Sequence, residues 1–149
     1  MSRILITCAL AGAASLANAD PALPVTAPRG IDGFVTVDRL PVPDDPILAQ
    51  GRDIWGGTCE GCHGGNKPTG APKITATKPW APRIAKGFEV LIPHAIQGYI
   101  GPRYTEMPAR GGNDDLSDSQ VAAAVAFMVW ASGGDALALE FAQTLSPKE

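Results

Sequence analysis

Cys59, Glu60, Gly61, Cys62 and His63 follow one another directly, and this Cys-x-x-Cys-His spacing limits what the 149-residue chain can be built around. The pattern is the attachment signal for c-type haem. Two thiols three positions apart can each add across one vinyl group of the same porphyrin, while the next residue brings an imidazole beneath the iron. On this reading Cys59 and Cys62 tether and His63 ligates. Two other chemistries use the same residue types. A thioredoxin-like dithiol wants its motif after a strand in a βαβ unit, which the flanking sequence does not supply. A structural zinc site would need a fourth ligand, for which His94 is the other histidine, and adjacent Cys62 and His63 rarely both reach one tetrahedral ion.

The N-terminus bears on how the cysteines are read. Arg3, an apolar run over residues 4–16 and the small-x-small sequence Ala17-Asn18-Ala19 together predict a secretory signal peptide over residues 1–19, with Asp20 as the mature N-terminus. The run is short of the roughly 20 apolar residues a membrane helix needs. Cys8 would leave with the signal, so the mature chain keeps Cys59 and Cys62 alone. An exported pair left free is expected to oxidise to a disulfide, whereas thioether bonds to haem remove that liability. A bacterial periplasmic location fits, because such cells attach haem covalently outside the inner membrane.

Seventeen Gly and fourteen Pro among 45% hydrophobic residues predict one domain with many turns. Without Arg3 the chain holds 11 basic and 15 acidic residues, a net charge of −4, which argues against nucleic acid as a partner. The charges are unevenly spread. Residues 67–110 carry Lys67, Lys73, Lys78, Arg83, Lys86, Arg103 and Arg110 against Glu89 and Glu106, between acidic flanks. This stretch is either a solvated face that balances the haem propionates or a docking patch for an acidic redox partner.

Residues 20–44 hold Pro21, Pro24, Pro28, Pro41 and Pro43, which predicts an extended tail in which only residues 31–37 are apolar enough to pack. A first helix is expected from Asp45 as N-cap and Pro46 at its first position. Ile47, Leu48, Gly51, Ile54 and Trp55 fall on one stripe of it, and Gly56-Gly57 is expected to end it before the haem motif. Residues 87–97 suit a short helix that Pro93 should kink or shift. Ser117 and Gln120 form a capping-box pattern ahead of Val121, Ala124, Val125, Phe127 and Met128. After Gly133-Gly134, Leu137, Phe141 and Leu145 at spacings of four predict a short amphipathic helix within residues 133–149.

Gly51-x-x-x-Trp55-x-x-x-Cys59-x-x-Cys62-His63 resembles the opening of class I c-type cytochromes, and the match continues downstream in the manner of the bacterial cytochrome c5 branch. The resemblance covers roughly residues 45–132 and implies a small all-α fold in which N- and C-terminal helices cross around one covalently bound haem. Ala124 and Phe127 would then meet Gly51 and Trp55. Thr69-Gly70-Ala71-Pro72 looks like the family loop whose proline carbonyl accepts the ring N–H of the proximal histidine, which implies that role for Pro72. Trp80-Ala81-Pro82-Arg83 is similar to a stretch along the haem edge, which makes Trp80 and Arg83 candidates to meet a propionate. Glu106-Met107-Pro108-Ala109-Arg110-Gly111-Gly112 resembles the loop that carries the distal ligand, implying that His63 and Met107 hold the iron. His94 is read as a packed or surface residue and Met128 as core filler. Residues 99–105 look longer than the usual link.

The expected function is one-electron transfer by a carrier that is not itself an enzyme, its positive potential favoured by the methionine ligand. Two rivals are a permanent cytochrome subunit of a periplasmic oxidoreductase and a haem enzyme with a labile sixth ligand.

Overall fold

Two helices cross at a glycine, and the rest of the chain is wrapped around that crossing. The structure, a computed structural model, describes residues 24–102 and 105–146. The expected signal peptide, Cys8, Arg103 and Tyr104 lie outside the described residues. Helix α1, Pro46–Ile54, begins where the Asp45 carboxylate accepts hydrogen bonds from the Ile47 and Leu48 N–H groups at 2.9 and 3.0 Å. Pro46 occupies a position whose N–H would have no helical partner, so its ring does no harm there. Helix α5, Asp118–Ala131, is opened by the full capping box, with Ser117 Oγ accepting from Gln120 N and Gln120 Oε1 accepting from Ser117 N at 2.8 Å.

At the crossing, a Cβ built on Gly51 would stand 2.1 Å from the Ala123 carbonyl oxygen. Backbone therefore passes directly over backbone, and only glycine permits it. Trp55 closes the junction against Phe127, ring centroids 6.2 Å apart, and Phe127 continues to Trp130 at 5.9 Å. The expected stripe on α5 proves too narrow, because every residue from 121 to 131 is buried. The helix is covered by α1, by α4 (Phe88–Gln97) and by α6 (Asp135–Leu145), which is how an apolar helix without a polar face becomes stable.

Several local expectations are corrected. Gly56-Gly57 does not stop the first helix. The chain widens into a single π turn, Trp55–Cys59, and runs on as α2, Glu60–His63. A Cβ on Gly56 would meet Val37 at 2.8 Å, so this glycine admits a neighbouring segment instead of breaking a helix. Pro93 does not move the start of α4, which begins at Phe88 after Gly87 in a left-handed conformation with φ 76°. On α6 the deeply buried residues are Ala138 and Ala142, whose small side chains let it lie close on α5, while Leu137 is 37% exposed.

The proline-rich segment lies against the domain. Extended apart from one 3-10 turn, Val37–Arg39, it runs as a strap across the domain with Val35 fully buried and Leu40 nearly so. Gly30 N donates to Thr75 O at 2.8 Å, Val35 N to Gly64 O at 2.8 Å, and Val37 N to Glu60 Oε2 at 2.6 Å. Arg29 fixes its upstream end, reaching the Trp130 carbonyl at 3.1 Å and Asp135 at 2.7 Å. Lacking the ladder of a sheet, the strap satisfies its backbone donors one by one on the elements beneath it.

Candidate functional site

The π turn carries Cys59 and the short helix after it carries Cys62 and His63. Cys59 is half-buried on the wall of a cleft, whereas Cys62 is exposed. Burial pushes the Cys59 thiol up to about 11, with the neighbouring Cys62 adding to the shift. His63 is 7% exposed, and its Nδ1 donates to the Pro72 carbonyl at 2.9 Å. Burial holds this imidazole below its ordinary value of 6.5; the Pro72 bond pulls the other way and the charge of Arg83 lowers it further. His63 is therefore neutral at neutral pH, and with Nδ1 protonated its Nε2 lone pair is the one left to bind a metal.

The acceptor of that bond is itself held. Ile74 N donates to His63 O at 2.8 Å, Trp80 Nε1 to Lys73 O at 2.9 Å, and Lys73 Nζ to Ile31 O of the strap at 2.5 Å. Thr75 completes the turn at φ 67°, an unusual conformation for a β-branched residue. It is kept there by full burial and by bonds from its N–H to Ser132 Oγ and from Ile31 N to its own Oγ1, each 3.2 Å.

Met107, which lines the same cleft, lies in a hairpin and not in an irregular loop. Strand β1, Tyr99–Ile100, pairs antiparallel with β2, Glu106–Met107, placing Tyr99 opposite Met107. Tyr99–Ile100 and Glu106–Met107 thus form an arm that presents the methionine. Gly98, at φ 88°, leaves room for the chain after Met107, since a Cβ there would lie 3.0 Å from Met107 O. Beyond Pro108, Arg110 adopts φ 52° and ties the loop to α5 through Leu116 O at 2.6 Å and Asp118 at 2.5 Å. Asn113 ties it to the motif turn through Thr58 Oγ1 at 3.3 Å.

The structure thus brings Cys59, His63 and Met107 to one cleft whose remaining lining includes Ala95, Leu116, Val121, Ala124 and Val125. Trp80 and Arg83 are not among its lining residues. The Trp80 indole is buried with its ring 6.5 Å from His63, and its N–H is already given to Lys73 O, so it braces the Pro72 turn. Arg83 bonds the Pro79 carbonyl at 2.5 Å within helix α3, Thr77–Ile84. His94 stacks on Tyr99 with centroids 4.2 Å apart, and Ala95, the next residue, is the one on the cleft. Met128 adds a second thioether to the cleft wall. Its helical spacing from Val121, Ala124 and Val125 places it on that face, although spacing alone does not separate cleft from core.

A sequence family described as cytochrome C oxidase, cbb3-type, subunit III matches residues 46–128. The chain belongs to this family of c-type cytochromes. Cytochrome c-555 of Chlorobaculum thiosulfatiphilum is 44% identical over 81 residues, covering 54% of this chain and 92% of that protein. Cytochrome c-555 of Chlorobaculum tepidum is likewise 44% identical over 81 residues, covering 54% and 73%. Among solved structures, a chain from a crystal structure of an electron transfer complex of nitrite reductase with cytochrome c matches with TM-score 0.48 and 31% identity, over 56% of this chain and 94% of that one. The cytochrome is a class I c-type protein with an all-α fold, and membership implies haem c with its iron.

The residues present fit that group. An apolar cleft holding a thiol, a buried neutral imidazole and two thioethers offers a flat hydrophobic macrocycle both its walls and axial donors of suitable softness. Among the described residues, no helix is long and apolar enough to cross a membrane.

Proposed function

We propose that this cytochrome is a periplasmic mono-haem electron carrier, with haem joined through thioethers to Cys59 and Cys62 and with His63 and Met107 as axial ligands. When bound, the haem supplies the one-electron ferric and ferrous couple. The observation that carries the reading is that His63 and Met107 both line one apolar cleft, with His63 Nδ1 already donated to Pro72. The Pro72 bond fixes the tautomer and direction of the imidazole, so little has to rearrange when the charge on the iron changes. The apolar lining disfavours the more highly charged oxidised site, and a thioether ligand acts in the same direction, toward a positive potential. Filling both axial positions leaves no place for a substrate, which is what separates a carrier from a haem enzyme.

Residues 45–132 form the haem-holding domain on this reading, with residues 1–19 as the signal peptide that directs export. The exposed Lys67, Lys78 and Lys86 make no ion pair among the described residues and supply a basic docking face for redox partner proteins.

The two methionines make the test sharp. Optical spectra of the haem-loaded protein are recorded in both redox states for Met107→Ala and Met128→Ala. Met107→Ala loses the ferric methionine–iron charge-transfer band, lowers the potential and binds cyanide rapidly, while Met128→Ala keeps the band. A band that survives in Met107→Ala overturns the ligand assignment, and rapid cyanide binding by the unaltered protein overturns the closed-site carrier.

A further inference from the structure

A second concavity lies toward the other end of α4. It is an open groove of about 560 Å³ between the start of α4 and the outer side of α6, and it shares no lining residue with the haem cleft. Phe88 and Ala95, which line the groove and the cleft respectively, are seven residues apart, about 10 Å of helix. The floor is the stacked pair Phe88 and Phe141, centroids 4.1 Å apart, flanked by Ile92 and Leu137. Two exposed carboxylates, Glu89 and Glu140, stand in its lining, and neither makes an ion pair among the described residues.

We propose that this groove docks a basic amphipathic helix of a partner protein, holding the cytochrome at a site separate from its haem cleft. The groove is a trough between two helices, the shape into which an amphipathic helix lays an apolar stripe. Its carboxylates select against an anionic lipid surface and complement Lys or Arg beside that stripe. One wall, α6, lies beyond the family-matched residues 46–128. Ala138 and Ala142 seat α6 on α5, which leaves Leu137 exposed at the groove while Phe141 packs on the core edge and still lines it. A partner bound here leaves the basic surface over residues 67–86 open to a second protein. The cytochrome can then be retained by one partner while it exchanges electrons with another.

The test uses the haem-loaded full chain, isotopically labelled, titrated with a short helical peptide carrying Leu at i, i+4 and i+7 and Lys elsewhere. A control peptide keeps the Leu positions and replaces Lys with Glu. The proposal predicts chemical-shift changes confined to the first half of α4 and to α6, with the acidic peptide binding at least about tenfold more weakly. Glu89→Lys with Glu140→Lys should reverse the preference between the two peptides while leaving the haem spectrum unchanged. Because both positions are exposed, that variant folds. The proposal falls if the basic peptide gives no shifts at millimolar concentration, if both peptides bind equally, or if the shifts map to residues 67–86. It also falls if the groove is filled by a second copy in the absence of peptide, or if vesicles of anionic lipid compete successfully for it. The outcome is independent of the axial ligands, so failure here leaves the carrier reading standing.

Discussion

Replacing Gly51 with alanine tests the crossing on which the fold depends. The new Cβ would lie 2.1 Å from Ala123 O and 2.6 Å from its carbonyl carbon, where ordinary contact starts at 3.4 Å. The two backbones would have to separate by more than 1 Å, and neither is a flexible side-chain end that can turn aside. A gap of 0.5–1 Å already forfeits roughly a quarter to a half of the dispersion between facing atoms, and here Leu48, Trp55 and Phe127 all lie at the parting surface with no exposure. Overpacking a tight core costs about 1–3 kcal/mol, and a backbone obstacle puts this case at or above the upper end. Alanine returns about 1 kcal/mol through its helix propensity. The net expectation is a loss of about 2 kcal/mol or more, which for a domain of this size lowers the melting temperature by roughly 6–10 °C. The control is Gly57→Ala, two turns on, where nothing lies within 4 Å of a built Cβ. Thermal unfolding of both haem-loaded variants, followed by circular dichroism, should show Gly51→Ala well below the parent and Gly57→Ala level with it or slightly above. If Gly51→Ala melts at or above the parent temperature, the close backbone crossing is wrong.

Three further outcomes are expected. The haem-loaded protein should show no titratable thiol, whereas in a haem-free preparation Cys62 should alkylate well before Cys59, because a thiol pushed up to about 11 is ionised in only about one molecule in a thousand at about pH 8; equal rates would contradict the burial of Cys59. Electron-transfer rates with an acidic partner should fall as salt is raised, since exposed charges are screened beyond a Debye length of about 10 Å at 0.1 M, and a flat profile would remove the basic docking face. Arg29→Ala should cost about 1 kcal/mol in denaturant unfolding, because it loses a partly exposed ion pair to Asp135 and a bond to Trp130 O; no change would mean that the strap does not depend on its anchor.

The features legible in the sequence are those whose physical cause is local. Asp45 with Pro46, Ser117 with Gln120, and the Cys59 to His63 spacing each declare themselves within a few residues. Helix α3 carries Pro79 and Pro82, residues whose local preference runs against a helix. Pro79 falls in the first turn, where a missing N–H has no consequence, while Pro82 is tolerated inside the helix beside the buried Trp80. The hairpin that carries Met107 has two residues per strand, too few for alternation to register. On α6 the spacing of Leu137, Phe141 and Leu145 was real, but the deeply buried face went to the alanines because α5 approaches too closely for leucine.

What the sequence hid most completely is the support behind His63, and the reason is distance along the chain. Thr75 holds its left-handed turn only because Ser132, 57 residues away, and Ile31, 44 residues away, both bond to it. Glu60 looks like a filler between two cysteines, yet its carboxylate receives the strap through Val37 N. Lys73, two residues before Thr75, reads as a surface charge but reaches into the strap at Ile31 O. Each bond alone is worth only about 1 kcal/mol. Together they bear on one short stretch, from the histidine to the carbonyl that orients it. A local unfolding that freed His63 from Pro72 would have to break several of them at once. The His63 side is therefore the rigid part of this cleft. Met107, elsewhere in the lining, rests on a two-residue hairpin and the Arg110 loop, so any opening of the site should begin at the methionine.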